Sequence, residues 1–480
     1  MVAQYIQPFA CSYDVREEKI LFTVVKAGTV VSMDPEIKNL SAGDILIKDE
    51  KIVDVGEDIT VPQGAEVIDA SDMIVMPGFV NTHIHTWQAG LRGLASNWTI
   101  LDYLRGIHAG VGPFFQPEDI RIGNLVGALN QINNGVTTAV DWHHNNPTPE
   151  HTDGAILGLE EACIRALFLH GSAKPPSLPD GKDFRKVPMS RSEVARLRRG
   201  KFSNDSGLLR MGLAILGPQI GMHDVCVADF KLAGEYDMVV SMHHSHGVML
   251  APDGYKAVGK EGLISRKTNI VHGNMLTDED FAVLADHGAT FSSTAEVEMQ
   301  MAYGEPITGR ALGAGATLAL GTDTETCYAS DMFAVMRVTM AAERHRVGQA
   351  EIAATGQRPA SVPVSPQDAL SWATIDGAKM ACMENEIGSI TPGKLADITM
   401  LRKTDLNLAG TANPVHAIVM YAHPGNVDTV LIAGKAVKRN GHLLAGNIEK
   451  LLVRLHESAE RAISDFLAKN PGYENVMRPA

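Results

Sequence analysis

The sequence of 480 residues has no apolar run of about 18 residues, and its N-terminus lacks a basic region followed by an apolar core. It therefore predicts no membrane span and no signal peptide. Cysteine is also scarce, since the five cysteines are scattered and form no CxxC pair. A sparse, odd set is typical of a reducing compartment and predicts no disulfide framework. We therefore expect a cytoplasmic protein.

A surplus of basic residues is missing as well. Lys and Arg number 42 against 56 Asp and Glu, so the formal net charge is -14, and no long acidic run carries it. Nucleic acids and anionic membranes select basic faces, so this balance argues against both as partners. The composition, 45% hydrophobic and 20% charged, is that of a globular protein, and the length predicts one large domain plus a smaller one.

Apolar strands alternate with helical segments through the middle of the chain. Strands in such an alternation are expected to be parallel and buried on both faces, and eight of them predict a closed (β/α)8 barrel, the TIM-barrel fold. The predicted strands cover residues 76–85, 135–141, 166–170, 209–216, 238–243, 269–272, 289–293 and 316–323.

Shorter strands separated by Gly, Pro and Asp turns flank this region on both sides. The two sets agree in length and turn chemistry, so we infer that both chain ends build one small β-sandwich domain beside the barrel. The flanking strands are predicted at residues 21–25, 29–31, 44–47, 51–56, 395–401, 416–421 and 427–434.

The pattern divides the chain into four parts. Residues 1–76 and 386–446 are predicted to form the β-sandwich, and residues 77–385 the barrel domain. Residues 447–480 are predicted to form a C-terminal amphipathic helix and tail.

The predicted barrel strands end in polar side chains of the types that bind metals. The carboxyl ends of all strands in a TIM barrel meet on one face, where the chemistry lies. His83 and His85 share one face of the first strand, and two such imidazoles can hold one transition metal. The other strand ends read Asp141, His170, Gln219, His243, His272, Thr294 and Asp323. This many ligand-type ends predicts a functional site rather than packing.

Six motifs follow one another at residues 77–85 (PGFVNTHIH), 90–93 (GLRG), 135–138 (GVTT), 271–273 (VHG), 320–323 (LGTD) and 388–397 (GSITPGKLAD). In order and spacing they resemble those of the amidohydrolase superfamily. The likeness is strongest to the branch with the triazine hydrolases and the nucleobase or S-adenosylhomocysteine deaminases, and it covers most of the chain.

The resemblance implies one divalent metal ion, Zn²⁺ in first place with Fe²⁺ as the alternative. Its implied ligands are His83, His85, His243 and Asp323, while His272 is implied to contact the metal-bound water or the substrate. Three imidazoles and a carboxylate suit either ion, and the metal lowers the pKa of a bound water toward about 7. Asp323 is then placed to accept that water's proton and pass it to the leaving group.

The fifth strand ends in a run of histidines, His243-His244-Ser245-His246, which leaves its register open. Comparison of residues 233–237 with the family pattern puts His243 in the ligand position and turns His244 outward. His246 then stands where the deaminases carry a glutamate that shuttles protons. We expect His246 to replace that glutamate only imperfectly.

Glu296 and Glu298 are further candidates for the missing carboxylate, because both follow the predicted seventh strand, and Glu296 is favoured. The alternative for each is a solvated loop carboxylate without a role. The fourth strand ends near Gln219 and carries no lysine there. A carbamylated lysine bridging two metals is therefore not expected, and we predict a single ion.

Side chains after the first three strands are candidates for the substrate pocket. Aromatic groups there could form a flat slot for a planar substrate, although loop packing explains each residue singly just as well. The predicted substrate-binding residues are Trp87, Gln88, Arg92, Asp141, His143 and His170.

Together these features predict a hydrolase that attacks a non-peptide C–N bond of a small, planar or heteroaromatic molecule through metal-bound hydroxide. The missing glutamate favours an amide, urea or carbamate bond. Deamination or dechlorination of a purine, pyrimidine or triazine-like ring is the alternative. A non-catalytic relative used for binding or assembly ranks below both, since no implied metal ligand is lost. A homo-oligomer is plausible on family grounds.

Overall fold

The structure is a computed structural model in which residues 21–172, 181–245 and 249–477 are described. Its N-terminal strands are β1 (Phe22–Val31), β2 (Asn39–Lys48), β3 (Lys51–Gly56), β4 (Glu66–Asp69) and β5 (Met73–Pro77). β1 is one strand where the sequence predicted two. It continues because the break between Val25 and Gly28 is only an irregularity in its pairing with β2, at Ala27, whose φ is +60°.

Eight parallel strands then form the barrel: β6 (Phe79–Ile84), β7 (Val136–His143), β8 (Arg165–Gly171), β9 (Leu209–Ala214), β10 (Val240–His244), β11 (Thr268–His272), β12 (Thr290–Ser293) and β13 (Leu318–Leu320). They pair in chain order from β6 to β13. The first and last strands meet through a parallel bridge between Ile84 and Asp323. The predicted (β/α)8 barrel is confirmed.

The C-terminal strands are β14 (Ile398–Arg402), β15 (Val427–Ile432), β16 (Lys435–Arg439) and β17 (His442–Leu443). β14 pairs antiparallel with β5, so one sheet runs in the order β17-β16-β15-β14-β5-β1-β2-β3, with β4 beside β1. Both chain ends therefore build one separate sheet, as the sequence predicted.

Helices surround the barrel and cross its open end. Their bounds are α1 (Ile100–Tyr103), α2 (Pro117–Asn133), α3 (Pro149–Ala162), α4 (Arg191–Arg199), α5 (Gly217–Ile220), α6 (His223–Glu235), α7 (Gly254–Lys260), α8 (Asp278–Asp286), α9 (Ala295–Gln300), α10 (Thr308–Gly313), α11 (Met332–Thr355), α12 (Pro366–Trp372), α13 (Ile375–Met380), α14 (Pro414–His416), α15 (Ile448–Lys469) and α16 (Glu474–Met477). Among the described residues, no helix is both long enough and apolar enough to cross a membrane.

The barrel strands bury both of their faces. Val140, Leu167 and Leu169 belong to a cluster that draws on strands all around the barrel, so this cluster fills the interior. Their neighbours Ala139 and Phe168 belong to the larger core between the strands and the outer helices. Alternate residues of one strand therefore face the interior and the helices, and this decides which strand-end side chains reach the centre.

A buried ion pair joins the barrel to the separate sheet. Arg165 at the start of β8 donates to Asp397 through Nε at 2.7 Å and through one terminal nitrogen at 3.1 Å. Asp397 also accepts a hydrogen bond from the backbone N–H of Ala433 at 2.8 Å. Burial would lower the pKa of Arg165, but Asp397 raises it, so the guanidinium stays charged.

One sequence prediction about local structure is wrong. Residues 416–421 are helical rather than extended, because Asn413 caps the turn by accepting from the N–H groups of Val415 and His416, with Pro414 at the first helical position.

Candidate active site

Four side chains converge at the carboxyl ends of β6, β10 and β13. The Nε2 atom of His83 lies 3.2 Å from Nε2 of His243 and 3.3 Å from Oδ1 of Asp323, and Nε2 of His85 lies 3.5 Å from the same Oδ1. A tetrahedral zinc ion with ligands at about 2.0–2.1 Å holds its ligand atoms about 3.3 Å apart. These three distances fit one such ion. The ligand-type atoms lie within 4.8 Å of one another in two groups, His83 with His85 and Asp323, and His83 with His243 and His272.

The sequence around His83 explains how the first and last strands bring their ligands together. The Nδ2 of Asn81 donates to Oγ1 of Thr322 at 2.7 Å, and the backbone N–H of Thr322 donates back to Oδ1 of Asn81 at 3.1 Å. Gly321 lets the strands approach, since a Cβ there would lie 2.7 Å from Cβ of His83. Asp323 is thus fixed beside His83.

The alternation of side chains along β10 decides which histidine of the run at its end faces the barrel interior. His243 points to the interior, where its ring centroid lies 4.2 Å from that of Trp142. His244 points to the opposite face, where its Nδ1 lies 3.0 Å from the hydroxyl of buried Tyr255. The structure therefore brings His243, and not His244, to the cluster.

His272 and Asp323 both have left-handed backbone conformations, with φ of +69° and +62°. Such conformations cost on the order of 1–3 kcal/mol for residues other than glycine and persist at functional sites. The turns bring Nε2 of His272 to 4.0 Å from Oδ2 of Asp323. Burial alone would raise the pKa of Asp323, but a hydrogen bond from His83 and the charges of His272, His83 and His85 hold it well below its ordinary value. The aspartate is therefore an anion.

Two of the imidazoles are also held by groups behind them. The Nδ1 of His85 lies 2.7 Å from the backbone oxygen of Trp142. The Nδ1 of His272 lies 3.0 Å from Oγ1 of Thr294 and 3.4 Å from Oε1 of Glu298. Partners of this kind orient metal-binding imidazoles and fix the nitrogen that carries hydrogen.

Two tyrosines that the sequence analysis did not select stand beside the cluster. The Tyr303 ring lies 4.9 Å from the His272 ring. Burial, followed by the negative charge of Asp323, raises the pKa of both Tyr103 and Tyr303 well above the ordinary value, so both hydroxyls keep their protons. Both residues come from segments after strand ends, outside any motif, so no sequence signal pointed to them.

A second pair of histidines packs against the cluster. His144 stacks on His108 with ring centroids 4.2 Å apart and Nε2 atoms 3.1 Å apart. The His144 ring also lies 4.5 Å from the ring of His85. His108 lies in a π-helical segment, Leu104–Val111, and sequence analysis missed it because nothing marks that segment as close to β6.

Three predicted pocket residues support the loops instead of lining an open slot. Trp87 is buried in the core around the barrel. Gln88 is also buried, and its Nε2 donates to the hydroxyl of Tyr103 at 2.7 Å. Arg92 forms an ion pair with buried Glu325. Gln88 therefore acts on the cluster indirectly, by holding Tyr103 and by accepting a hydrogen bond from Thr324, next to Asp323.

The other three predicted pocket residues face away from the barrel interior. Asp141 accepts hydrogen bonds from Oγ1 of Thr86 at 2.7 Å and from Nδ2 of Asn124 at 2.9 Å, and burial raises its pKa to about 6. His143 and His170 lie on the same outer face, where burial lowers their pKa values to about 3 and about 4. The prediction that these three bind substrate at the metal centre is therefore not supported, because strand alternation turns them toward the helices.

A cavity of about 330 Å³ lies on this outer side. His170 and Glu193 contribute its charged or titratable groups, and Phe184 and Met189 contribute apolar surface. None of the converging side chains at β6, β10 and β13 lines it. The cavity is thus separate from the cluster.

Glu296 does not contact the cluster through any described hydrogen bond or ion pair. Burial, followed by the charge of Asp331, raises its pKa to about 7, while Arg337 opposes the rise. Glu298, two residues later on α9, is the carboxylate that reaches His272. The two glutamates occupy different sides of a short helix, and only Glu298 is placed beside His272. The role expected of Glu296 stays a prediction.

Two further positions that the sequence singled out are Gln219, near the end of the fourth strand, and His246, the last histidine of the run. The Oε1 of Gln219 accepts from the backbone N–H of Ser245 at 3.1 Å, so Gln219 supports the end of β10. His246 lies outside the described residues. Its expected role stays a prediction.

The amidohydrolase family model matches residues 74–437, which is most of the chain. The chain belongs to the amidohydrolase family. This confirms the resemblance drawn from the six motifs and, with it, the prediction of a hydrolase acting on carbon–nitrogen bonds other than peptide bonds.

Other proteins are similar to this amidohydrolase over most of its length. The 5-methylthioadenosine/S-adenosylhomocysteine deaminase of Pyrococcus abyssi is 26% identical over 451 residues, which cover 91% of this chain and 99% of the relative. A variant of atrazine chlorohydrolase from Arthrobacter aurescens, solved with zinc and atraton, has a TM-score of 0.78 at 20% identity and covers 91% of this chain and 100% of its own. An adenosine deaminase from Xanthomonas campestris with bound zinc gives 0.78 at 21%, covering 92% and 98%.

Proposed function

We propose that this amidohydrolase uses one zinc ion to hydrolyse a C–N bond on a small planar heterocycle, with an exocyclic amine as the leaving group. The observation that carries the proposal is the spacing of 3.2–3.5 Å that links Nε2 of His83 to His243 and to Asp323, and Nε2 of His85 to Asp323. A ring amine now ranks ahead of an amide, urea or carbamate bond, because the similar proteins named above include deaminases.

The proposed ion is Zn²⁺, since three imidazole nitrogens and one carboxylate form a donor set that zinc accepts. Solved structures with the same fold contain zinc. When bound, such an ion supplies Lewis acidity that lowers the pKa of water toward about 7. Iron(II) accepts the same donors, so the choice of metal is part of the test.

Asp323 is proposed to carry the proton. Its Oδ1 faces His83 and His85 at 3.3 Å and 3.5 Å, while its Oδ2 faces His272 at 4.0 Å. One oxygen is thus directed at the ligand set and the other toward the side where His272 stands. The second oxygen can accept a proton from the attacking water and return it to the departing amine.

Neighbouring residues are proposed to orient the substrate and exclude water. Trp142 lies inside the barrel against His243, and Tyr303 stands against His272. Both tyrosine hydroxyls near Asp323 stay protonated and can donate hydrogen bonds. A flat ring bound between these groups would present one carbon near His272 and Asp323.

The experiment combines metal analysis with a substrate panel. Purified protein would be assayed for zinc and iron, and then for ammonia or amine release from methylthioadenosine, S-adenosylhomocysteine, adenosine, an aminated triazine, an aryl urea and an aryl amide. The Asp323→Asn variant should keep its fold and lose at least about 10³-fold in turnover, because the proton carrier is gone. Asp278→Asn, at an exposed carboxylate, serves as the matched control.

The outcomes separate the parts of the proposal. Release from the nucleosides or the triazine supports ring deamination, whereas release only from the urea or amide replaces it with the second bond class. Full activity of Asp323→Asn contradicts the proton route. Protein that neither holds nor takes up metal would restore the non-catalytic interpretation.

A further inference from the structure

A buried glutamate behind His272 receives more hydrogen bonds than its position on a short helix requires. Glu298 is fully buried. Its Oε1 accepts from the backbone N–H of Thr294 at 2.7 Å and from Oγ1 of Thr294 at 3.2 Å, and its Oε2 lies 3.2 Å from Nδ2 of Asn274. The Oγ of Ser293 is a further donor to Oε2 at 3.4 Å. Donors thus surround both oxygens.

These contacts determine which nitrogen of His272 carries hydrogen. A carboxylate only accepts, so the single hydroxyl hydrogen of Thr294 is directed to Glu298. The oxygen of Thr294 is then left as an acceptor for His272 Nδ1, 3.0 Å away. Nδ1 of His272 is therefore the nitrogen that donates to Thr294, and Nε2 faces Asp323.

His272 needs such an anchor because its backbone does not follow the strand. Its φ of +69° takes it out of the alternation that directs the other side chains of β11. The pleat of β11 therefore does not set the orientation of the His272 ring. The Thr294 and Glu298 pair supplies that orientation from the start of α9.

We propose that Glu298, acting through Thr294, is a positioning residue that fixes the tautomer and orientation of His272 for the hydrolytic reaction. This rests on the proposed function, in which His272 faces the reacting carbon. The role requires a carboxylate, because both Glu298 oxygens accept from N–H donors. In a glutamine, the side-chain NH₂ group would face either the backbone N–H of Thr294 or the amide NH₂ of Asn274, and two donors cannot form a hydrogen bond.

The test compares Glu298→Gln, Thr294→Val and the control Glu305→Gln, an exposed carboxylate on the loop after α9. Protein labelled with ¹⁵N-histidine would be examined by NMR for the protected Nδ1–H resonance, assigned by its loss in a His272→Gln variant. Zinc content, melting temperature, kcat and KM would be measured on the same samples. Thr294→Val removes the hydroxyl link but keeps the backbone N–H bond to Glu298.

We expect the Nδ1–H resonance to move or exchange rapidly in Glu298→Gln and Thr294→Val and to stay in place in Glu305→Gln. kcat should fall about 10- to 100-fold in the first two variants, with KM, zinc content and melting temperature nearly unchanged. A wild-type resonance and kcat in both variants would overturn the proposal. Loss of zinc or of folding in both would also overturn it, since the residues would then be structural.

The spectrum and the zinc content require no substrate, so they decide the positioning role even if every compound of the panel is inert. Inert compounds with a displaced resonance would count against the proposed reaction alone. Active compounds with an undisturbed resonance would count against Glu298 alone.

Discussion

The adjacent histidines of β10 offer a matched pair of substitutions, His243→Ala and His244→Ala. The side chains are one residue apart but face opposite sides of the strand, toward His83 and toward Tyr255. We expect His243→Ala to lose the metal while keeping most of the stability of the metal-free protein. His244→Ala should keep the metal but lower the stability of the metal-free protein.

The magnitudes follow from what each ring contacts. Removing His244 leaves the hydroxyl of fully buried Tyr255 without its 3.0 Å partner. An unsatisfied buried group costs about 1–3 kcal/mol, and the space left by the ring adds to that. Zinc at a free concentration 100 times its dissociation constant stabilises a protein by about 2.7 kcal/mol, and this gain should vanish in His243→Ala.

The assay is chemical denaturation of each variant with zinc and after chelation, together with metal stoichiometry. Wild type and His244→Ala should show a zinc-dependent increase in the free energy of unfolding, and His243→Ala should show none. A zinc response kept by His243→Ala and lost by His244→Ala would place the ligand one residue later. Two zinc equivalents in wild type would refute the mononuclear arrangement.

Three further predictions concern stability and packing. Asp397→Asn should destabilise the protein by about 3–5 kcal/mol, because it leaves Arg165 buried and unpaired. The double variant Arg165→Met with Asp397→Leu should recover most of the lost stability, as a double-mutant cycle of denaturation measurements would show. Burial raises the pKa of Asp229 from 3.8 to about 7, so between about pH 4 and pH 7 the folded protein holds a proton that the unfolded chain has lost, and the free energy of unfolding falls as pH rises. Asp229→Asn should remove this decline and raise the free energy of unfolding at pH 8 by up to about 4 kcal/mol, measured by denaturation at a series of pH values. Gly321→Ala should push against His83 and reduce zinc content in the purified protein, whereas unchanged zinc would show that the strands can shift.

The barrel could be predicted from sequence because its strands are apolar runs separated by helices, a pattern that depends only on local periodicity. The candidate ligands lie at strand ends, and the topology of a closed barrel brings such ends together. The resemblance to the amidohydrolases then selected His83, His85, His243 and Asp323 from the polar strand ends.

The remainder of the site depends on side-chain direction, which sequence spacing did not resolve. Asp141 and His170 end barrel strands but face outward, and the same alternation excludes His143. Glu296 was favoured over Glu298, because the choice depends on the rotation of a helix of six residues. Tyr103 and Tyr303 come from segments whose paths only the fold determines.

The joining of β6 to β13 has a consequence for how the protein is made. His83 and Asp323 are 240 residues apart in sequence yet share one centre. At a synthesis rate of about 5–20 residues per second, a ribosome needs roughly 12–48 seconds to pass from one to the other. During that interval His83 and His85 lack Asp323. The proposed metal site is therefore complete only once β13 has been made and Asn81 and Thr322 join the first and last strands.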